Sequence, residues 1–282
     1  MNGYWIVLFG LLFASGEVSG AEVDVWTFNL RYASASGPNS WEARRPVMKA
    51  LWQSESPDIV GTQEGLYAQL RDLDADLPDY DWIGTGRDGG SRGEFMAIFY
   101  RRDRFEPLAY DHRWLSDTPL AVGSKSWGNT VVRMVTWVEF RDRRDGSRFL
   151  VVNTHFDHES EPSRVKSALF LSQLVNEFDA TLPVLITGDF NAPATASAAY
   201  ATLVQSGIID TWTAATSKSA AFATYHGYHT PQEDGPRIDW ILARGASAVL
   251  SATIHTESRD GQYPSDHFPV SAKIRLGAEK RE

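Results

Sequence analysis

Ten short β-rich runs alternate along this chain with stretches of helical spacing, and that alternation restricts the fold more than any other property of the sequence. The runs are VDVWTFNL, DIVGTQ, YDWIGT, EFMAIFY, VVRMVTWVEF, RFLVVNTHF, PVLITGDF, RIDWILA, SAVLSATI and HFPVSAKI. Asp145 and Gly146 separate two of them as a turn signal, which predicts a hairpin and so antiparallel pairing. Apolar spacing shifts to three and four over residues 41–52 and 66–77, and again at Val165, Ala168, Leu169, Ser172 and Val175, after Pro162 and Ser163. Many strands, mixed pairing and interspersed helices predict a two-sheet core with helices on its outer faces. The 282 residues show no internal repeat and no low-complexity linker, so one domain is expected. Residues 213–236 lack a period and read as a long surface loop or lid, and GRDGGSRG reads as a flexible connection.

The strands end in an unusual way. Apolar PVLITG runs straight into Asp189 and Asn191, and the carboxyl end of a strand is where open α/β sheets place ligands. The same ending recurs with Asn29 after VWTF, Glu64 after DIVGTQ, His155 with Asp157 and His158 after LVVNT, and Asp266 with His267 after QYPS. One such residue is ordinary turn chemistry. The whole set points to a site. Asp239, flanked by Ile238 and Trp240, is costly to bury without a cation or donor, and His267 is the partner that needs least else.

Carboxylates, amides and histidines without a single cysteine suit a hard, oxygen-preferring cation, Mg²⁺ or Mn²⁺, better than structural zinc. There is no Walker-type loop, which counts against nucleotide-driven motors.

With TFNLR, GTQEG, GEFMAIFY, NTHFDH, GDFNAP, RIDWIL and SDHFPV in that order, the chain resembles the endonuclease/exonuclease/phosphatase superfamily over nearly all of residues 22–282. The resemblance implies a deoxyribonuclease I-like four-layer α/β sandwich, two mixed, mainly antiparallel sheets flanked by helices. It also implies metal-assisted, in-line attack of water on phosphorus. Carried onto this sequence, Glu64 is the main metal ligand, with Asn29 beside it and Asp266 completing the set. Asp189 orients and deprotonates water, Asn191 positions it, and His267, polarised by Asp239, stabilises the transition state or protonates the leaving group. His155 matches a second histidine of deoxyribonuclease-like members and Glu94 their supporting carboxylate. Arg133 falls where some members bind phosphate, and His158 and His226 are substrate-contact candidates.

The formal charge of −9, with no basic block near the strand ends, favours a small or neutral-headed phosphoester, a sugar phosphate, a phospholipid head group or a nucleotide, over long nucleic acid. RDRRDGSR reads as a solvated hairpin tip. A secreted nuclease and a non-catalytic module of the same fold are the alternatives, although a non-catalytic module is expected to have lost some of these residues. A glycosidase using two carboxylates is a further rival that would survive chelation. Residues 4–15 are largely apolar and precede Ser19, Gly20 and Ala21, so 1–21 reads as a signal peptide. The segment is too short for a stable membrane span. A secreted or periplasmic monomer is expected.

Overall fold

A computed structural model describes residues 20–205 and 207–277; residues 1–19 of the expected leader lie outside the described residues. The first sheet joins β1 (Glu22–Asn29), β2 (Ile59–Gln63), β4 (Tyr80–Ile83), β6 (Ile98–Arg101), β12 (Ser217–Lys218), β14 (Ala246–Ile254) and β15 (Val270–Leu276) in the order β12-β14-β15-β1-β2-β6-β4. The second joins β7 (Phe105–Trp114), β8 (Met134–Asp142), β9 (Arg148–His155), β10 (Val184–Asp189), β11 (Ile209–Asp210) and β13 (Asp239–Arg244) in the order β11-β13-β10-β9-β8-β7. A small ribbon pairs β3 (Gly65–Leu66) with β5 (Glu94–Phe95). The helices are α1 (Trp41–Glu55), α2 (Tyr67–Asp76), α3 (Glu161–Asn176), α4 (Ala198–Val204) and α5 (Thr211–Ala214). Serine hydroxyls start three of them: Ser40 accepts from Ala43 N, Ser160 from Ser163 N and Ser197 from Tyr200 N.

Period-two alternation sends neighbouring side chains to opposite faces. In β1, Val23 and Val25 enter the layer between the sheets, where they pack with Val138, Phe149, Val151 and Leu185. Trp26 and Phe28 point the other way, onto Trp41, Met48 and Trp52 of α1 and Leu70 and Leu73 of α2. In β9 and β10, Leu150, Val152 and Ile186 turn outward against Ala168 and Leu171 of α3 and Leu203 of α4. The result is helix, sheet, sheet, helix, the four-layer sandwich expected.

Towards one end of the strands the layer between the sheets changes from apolar to polar. Gln63 Nε2 donates to Thr27 Oγ1 at 3.2 Å and to Asn153 Oδ1 at 2.7 Å, while Thr187 Oγ1 donates to the same Asn153 oxygen at 3.1 Å. Asn153 Nδ2 in turn donates to Thr62 O and Ala97 O. This seam of fully buried polar groups joins β1 and β2 to β9 and β10. Gly61 makes the close approach possible, since a Cβ there would sit 2.0 Å from Thr187 Oγ1.

All ten β-rich runs contain strand, and EFMAIFY divides into β5 and β6. The hairpin at Asp145–Gly146 joins β8 to β9, with Gly146 at φ +78. Two expectations are corrected. GRDGGSRG is not a loose connection: Gly86 N donates to Gly90 O, Arg87 N to Glu94 O and Asp88 N to Arg92 O, which fold it into a tight turn. Residues 213–236 do not form a free lid, because Ala223 N donates to Gln232 O, Thr224 N to Pro236 O and Phe268 N to Thr224 O.

Candidate active site

Strand direction brings the polar endings together. β1 and β2 run parallel as neighbours, so Asn29 and the residue after Gln63, Glu64, leave the first sheet side by side. β9 and β10 do the same in the second sheet, placing Asp189 opposite His155. β13 is antiparallel to β10, so its first residue, Asp239, pairs with Asp189. β15 is antiparallel to β1, so the residues just before it, Asp266 and His267, return to the Asn29 end. The backbone turns sharply there: Arg31, Glu64 and Asn191 all adopt positive φ, at 55, 62 and 48. Strain of this kind at non-glycine residues is held in place only where the surroundings overdetermine it.

Asp189 is the hub. Asn29 Nδ2 donates to Asp189 Oδ2 at 2.9 Å and to Glu64 Oε1 at 3.0 Å, bridging the two carboxylates. Asn191 N donates to Asp189 Oδ1 at 2.9 Å. Burial first, and the charge of Asp239 next, raise the Asp189 carboxyl to about 7, although His267 and Asn29 act against them. His267 Nδ1 lies 3.0 Å from Asp239 Oδ2, and its Nε2 lies 3.8 Å from Asp189 Oδ2. Burial on its own would lower the imidazole, but Asp239 and then Asp189 outweigh it and raise His267 to about 10, so it stands protonated. Thr224 Oγ1 accepts from Asp239 N and Ile238 N, which fixes the start of β13.

His155 behaves oppositely. Burial, then the nearby Arg133 and His267, hold it well below the usual imidazole value. Its Nε2 accepts from Asn191 Nδ2 at 3.0 Å, while Nδ1 has no partner among the described residues. A neutral histidine of this kind is a ligand or acceptor rather than an acid. Glu64, His155 and Asp189 each offer a ligand atom within 4.8 Å of the others, and so do Asp189, Asp239 and His267. Two carboxylates and one neutral imidazole, with an amide beside them, fit a hard divalent ion.

Glu64, His155, Asp189, Asn191 and His267 line a cleft of about 360 Å³ together with Arg31, Tyr32, Arg87, Glu94, Arg133, His158, Asp266 and Tyr225. Arg133 is 4% exposed, donates from Nη2 to His158 Nδ1 at 3.2 Å, and leaves Nε and Nη1 without partners. Glu94, the expected supporting carboxylate, lies in the cleft wall, where its Oε2 accepts from Arg87 Nη1 at 2.7 Å. Asp266 accepts from Arg31 Nη1 at 2.6 Å.

The structure therefore gathers Asn29, Glu64, Glu94, Arg133, His155, His158, Asp189, Asn191, Asp239, Asp266 and His267. It does not bring in His226. That ring is 7% exposed and stacks on Phe268 at 4.1 Å with Tyr263 against its edge, and burial lowers it to about 4, so it cannot reach a substrate. Asp157 is also structural, accepting from Thr130, Glu159 and Ser160 backbone N–H groups. Sequence reasoning missed Arg31, Arg87 and Tyr225. Arg31 ends TFNLR, two residues past a predicted site residue, and was the one of the three with a local signal.

A family model described as endonuclease/exonuclease/phosphatase family matches residues 26–267. The chain belongs to that family. Among solved structures, the endonuclease/exonuclease/phosphatase from Bacteroides vulgatus is 37% identical with a TM-score of 0.86, covering 91% of this chain and 99% of that one. A Bacteroides thetaiotaomicron mannosyl-6-phosphatase is 33% identical with a TM-score of 0.83, covering 90% of this chain and 100% of that one. An uncharacterised protein of Acanthamoeba polyphaga mimivirus is 32% identical over 160 residues; the match spans 54% of this chain and 59% of the viral protein. Within the endonuclease/exonuclease/phosphatase family fold, the polar strand endings gathered around Asp189 are the candidate catalytic set.

Proposed function

We propose that this protein is a divalent-metal-dependent phosphoric ester hydrolase acting by in-line attack of water, with a small phosphoester, a sugar phosphate foremost, as substrate. The observation that carries the reading is the buried Asp189, held by two asparagines and raised to about 7, in a cleft whose wall includes Glu64 and Arg133. A carboxylate tuned close to neutrality is suited to take a proton from water, an effect worth about 10²–10⁴-fold. Asn191 is placed to orient that water or a phosphoryl oxygen. Arg133, in the cleft wall, supplies positive charge that attracts the phosphate, and the protonated His267 stabilises charge on the leaving oxygen or gives it a proton. Glu64, with Asp189 and His155 beside it and Asn29 and Asp266 at its margin, would hold Mg²⁺ or Mn²⁺. Such an ion, when bound, polarises the phosphoryl group and offsets its negative charge.

Three features support a small substrate. The cleft is of small-ligand size. Its rim carries the exposed faces of Tyr32 and Tyr225, 44% and 52% exposed, suited to the apolar face of a sugar ring. The mannosyl-6-phosphatase relative points the same way. The formal charge of −9 disfavours long nucleic acid. The apolar segment 4–15 and the small residues after it support export to the periplasm or medium.

The test is a panel of hexose 6-phosphate, glycerol phosphate, a bis-aryl phosphodiester, an aryl monoester and plasmid DNA, with Mg²⁺ or Mn²⁺ and with chelator. Metal-dependent hydrolysis, strongest on the sugar phosphate, is expected. Turnover of DNA alone would establish a nuclease, and activity surviving chelation would overturn the metal-dependent reading.

A further inference from the structure

Arg44, on α1, is fully buried, and among the described residues no carboxylate is bonded to it. Its Nε donates to Asn39 O at 2.9 Å, Nη1 to Leu30 O at 2.7 Å and Pro264 O at 2.9 Å, and Nη2 to Arg31 O at 3.1 Å and Tyr32 O at 3.4 Å. Burial lowers its pKa, the sign of a charge taken out of water at a cost. What the guanidinium gains is five carbonyl oxygens from two segments far apart in sequence, a pattern that fits its rigid fork of N–H donors and that the single ammonium of lysine cannot reproduce.

Both segments belong to the site. The first follows Asn29: Arg31 N donates to Asn29 Oδ1 at 2.9 Å, Tyr32 N donates to Glu64 Oε2 at 3.1 Å, and Arg31 Nη1 reaches Asp266. The second leads into Asp266 and His267, and its Ser265 Oγ donates to Asn29 O at 2.7 Å. Asn29 and Glu64 are thus fixed by backbone that Arg44 holds from beneath, and Asp266 by the side chain of Arg31 in the same segment.

We propose that Arg44 is a positioning residue for the metal centre: by locking the segment after β1 to the segment before β15, it sets the affinity of Glu64, Asn29 and Asp266 for a divalent ion. This rests on the metal-dependent reading above. A merely structural arginine would affect stability alone, and the molecule supplies the comparison. Arg104 is also buried, but it ties Asp58, Asp142 and Glu22 O at the opposite ends of the strands.

The experiment measures Mn²⁺ binding to purified protein from the paramagnetic resonance signal of the free ion, in wild type, Arg44→Lys, Arg44→Ala and Arg104→Ala. A rise in Kd of at least about tenfold is expected for both Arg44 variants, the usual scale for groups that orient metal ligands. Methylguanidinium should return Arg44→Ala towards the wild-type value. Arg104→Ala should unfold at lower urea yet keep the wild-type Kd. Arg44→Lys, which retains the charge and most of the volume, decides the matter should Arg44→Ala not fold. Wild-type affinity in Arg44→Lys, or an equal loss in Arg104→Ala, overturns the inference and leaves the metal reading standing. Absence of Mn²⁺ binding by the wild type overturns both.

Discussion

Asp189 and Glu64 share one asparagine, yet they are expected to fail differently when altered. Glu64→Gln removes charge from the candidate metal site, so phosphoesterase activity should fall and partly return as Mg²⁺ or Mn²⁺ is raised. Asp189→Asn removes the proposed proton acceptor, so the loss, about 10²–10⁴-fold in kcat, should persist at any metal concentration. Steady-state rates over a metal titration separate the two, and substantial turnover by Asp189→Asn would remove its role as water activator. His267 supplies a second prediction. Its charge depends on Asp239 across 3.0 Å against a burial that acts the other way. In Asp239→Asn the imidazole should therefore titrate well below about 10, and proton NMR of its ring should show it neutral at pH 8. The chain exposed most of this set because polar residues ended apolar runs. Arg87 and Tyr225 were hidden, since each lies in a stretch without a period, and only backbone hydrogen bonds turn it into the cleft wall. His226 misled for the converse reason: a histidine in a loop carries no mark that Phe268 will cover it.

The strands of both inner faces were legible because each packs between a helix layer and the opposing sheet, which demands apolar side chains along its length. β7 was not. It lies at the edge of its sheet, contains Pro107 and a bulge, and leaves Leu108, Ala109 and Tyr110 exposed, so burial wrote no pattern into it. α4 and α5, of 7 and 4 residues, are too short to show helical spacing. The tightest packing between the inner strands falls at Gly61. Gly61→Ala should push β2 away from Thr187 and destabilise the fold by about 1–3 kcal/mol. Urea unfolding measures that change, and a variant as stable as wild type would show that the strands can separate there without cost.

Two sheets share one acidic molecule, and its response to pH is set by buried groups more than by its net charge. His255 stacks on Trp26 at 4.1 Å, its Nε2 lies 2.9 Å from Ser271 Oγ, and burial lowers it to about 4. An imidazole normally near 6.5 that refuses its proton when folded makes the unfolded chain the better proton acceptor between those values. Stability should therefore fall as pH drops from about 6.5 to about 4, by on the order of 2–3 kcal/mol from this residue. Asp24, raised to about 6 by burial and then by Asp58, opposes it over part of the same range. Comparing urea midpoints of wild type and His255→Gln at pH 8 and pH 4.5 isolates the histidine: the variant should be the weaker protein at pH 8 and lose less on acidification. At this scale, the layer order followed from the alternation of runs, whereas the pairing order of the strands did not, because it depends on contacts between residues distant in sequence.

The polar seam of Thr27, Gln63, Asn153 and Thr187 fastens the two sheets directly below Asp189 and Glu64. Sliding one sheet past the other would strip several interior hydrogen bonds at once, so the floor of the candidate site resists such movement. Any adaptation to a differently shaped substrate is then confined to the margins, to the turns bearing Arg87, Tyr32 and Tyr225, while the chemistry beneath is inherited unchanged.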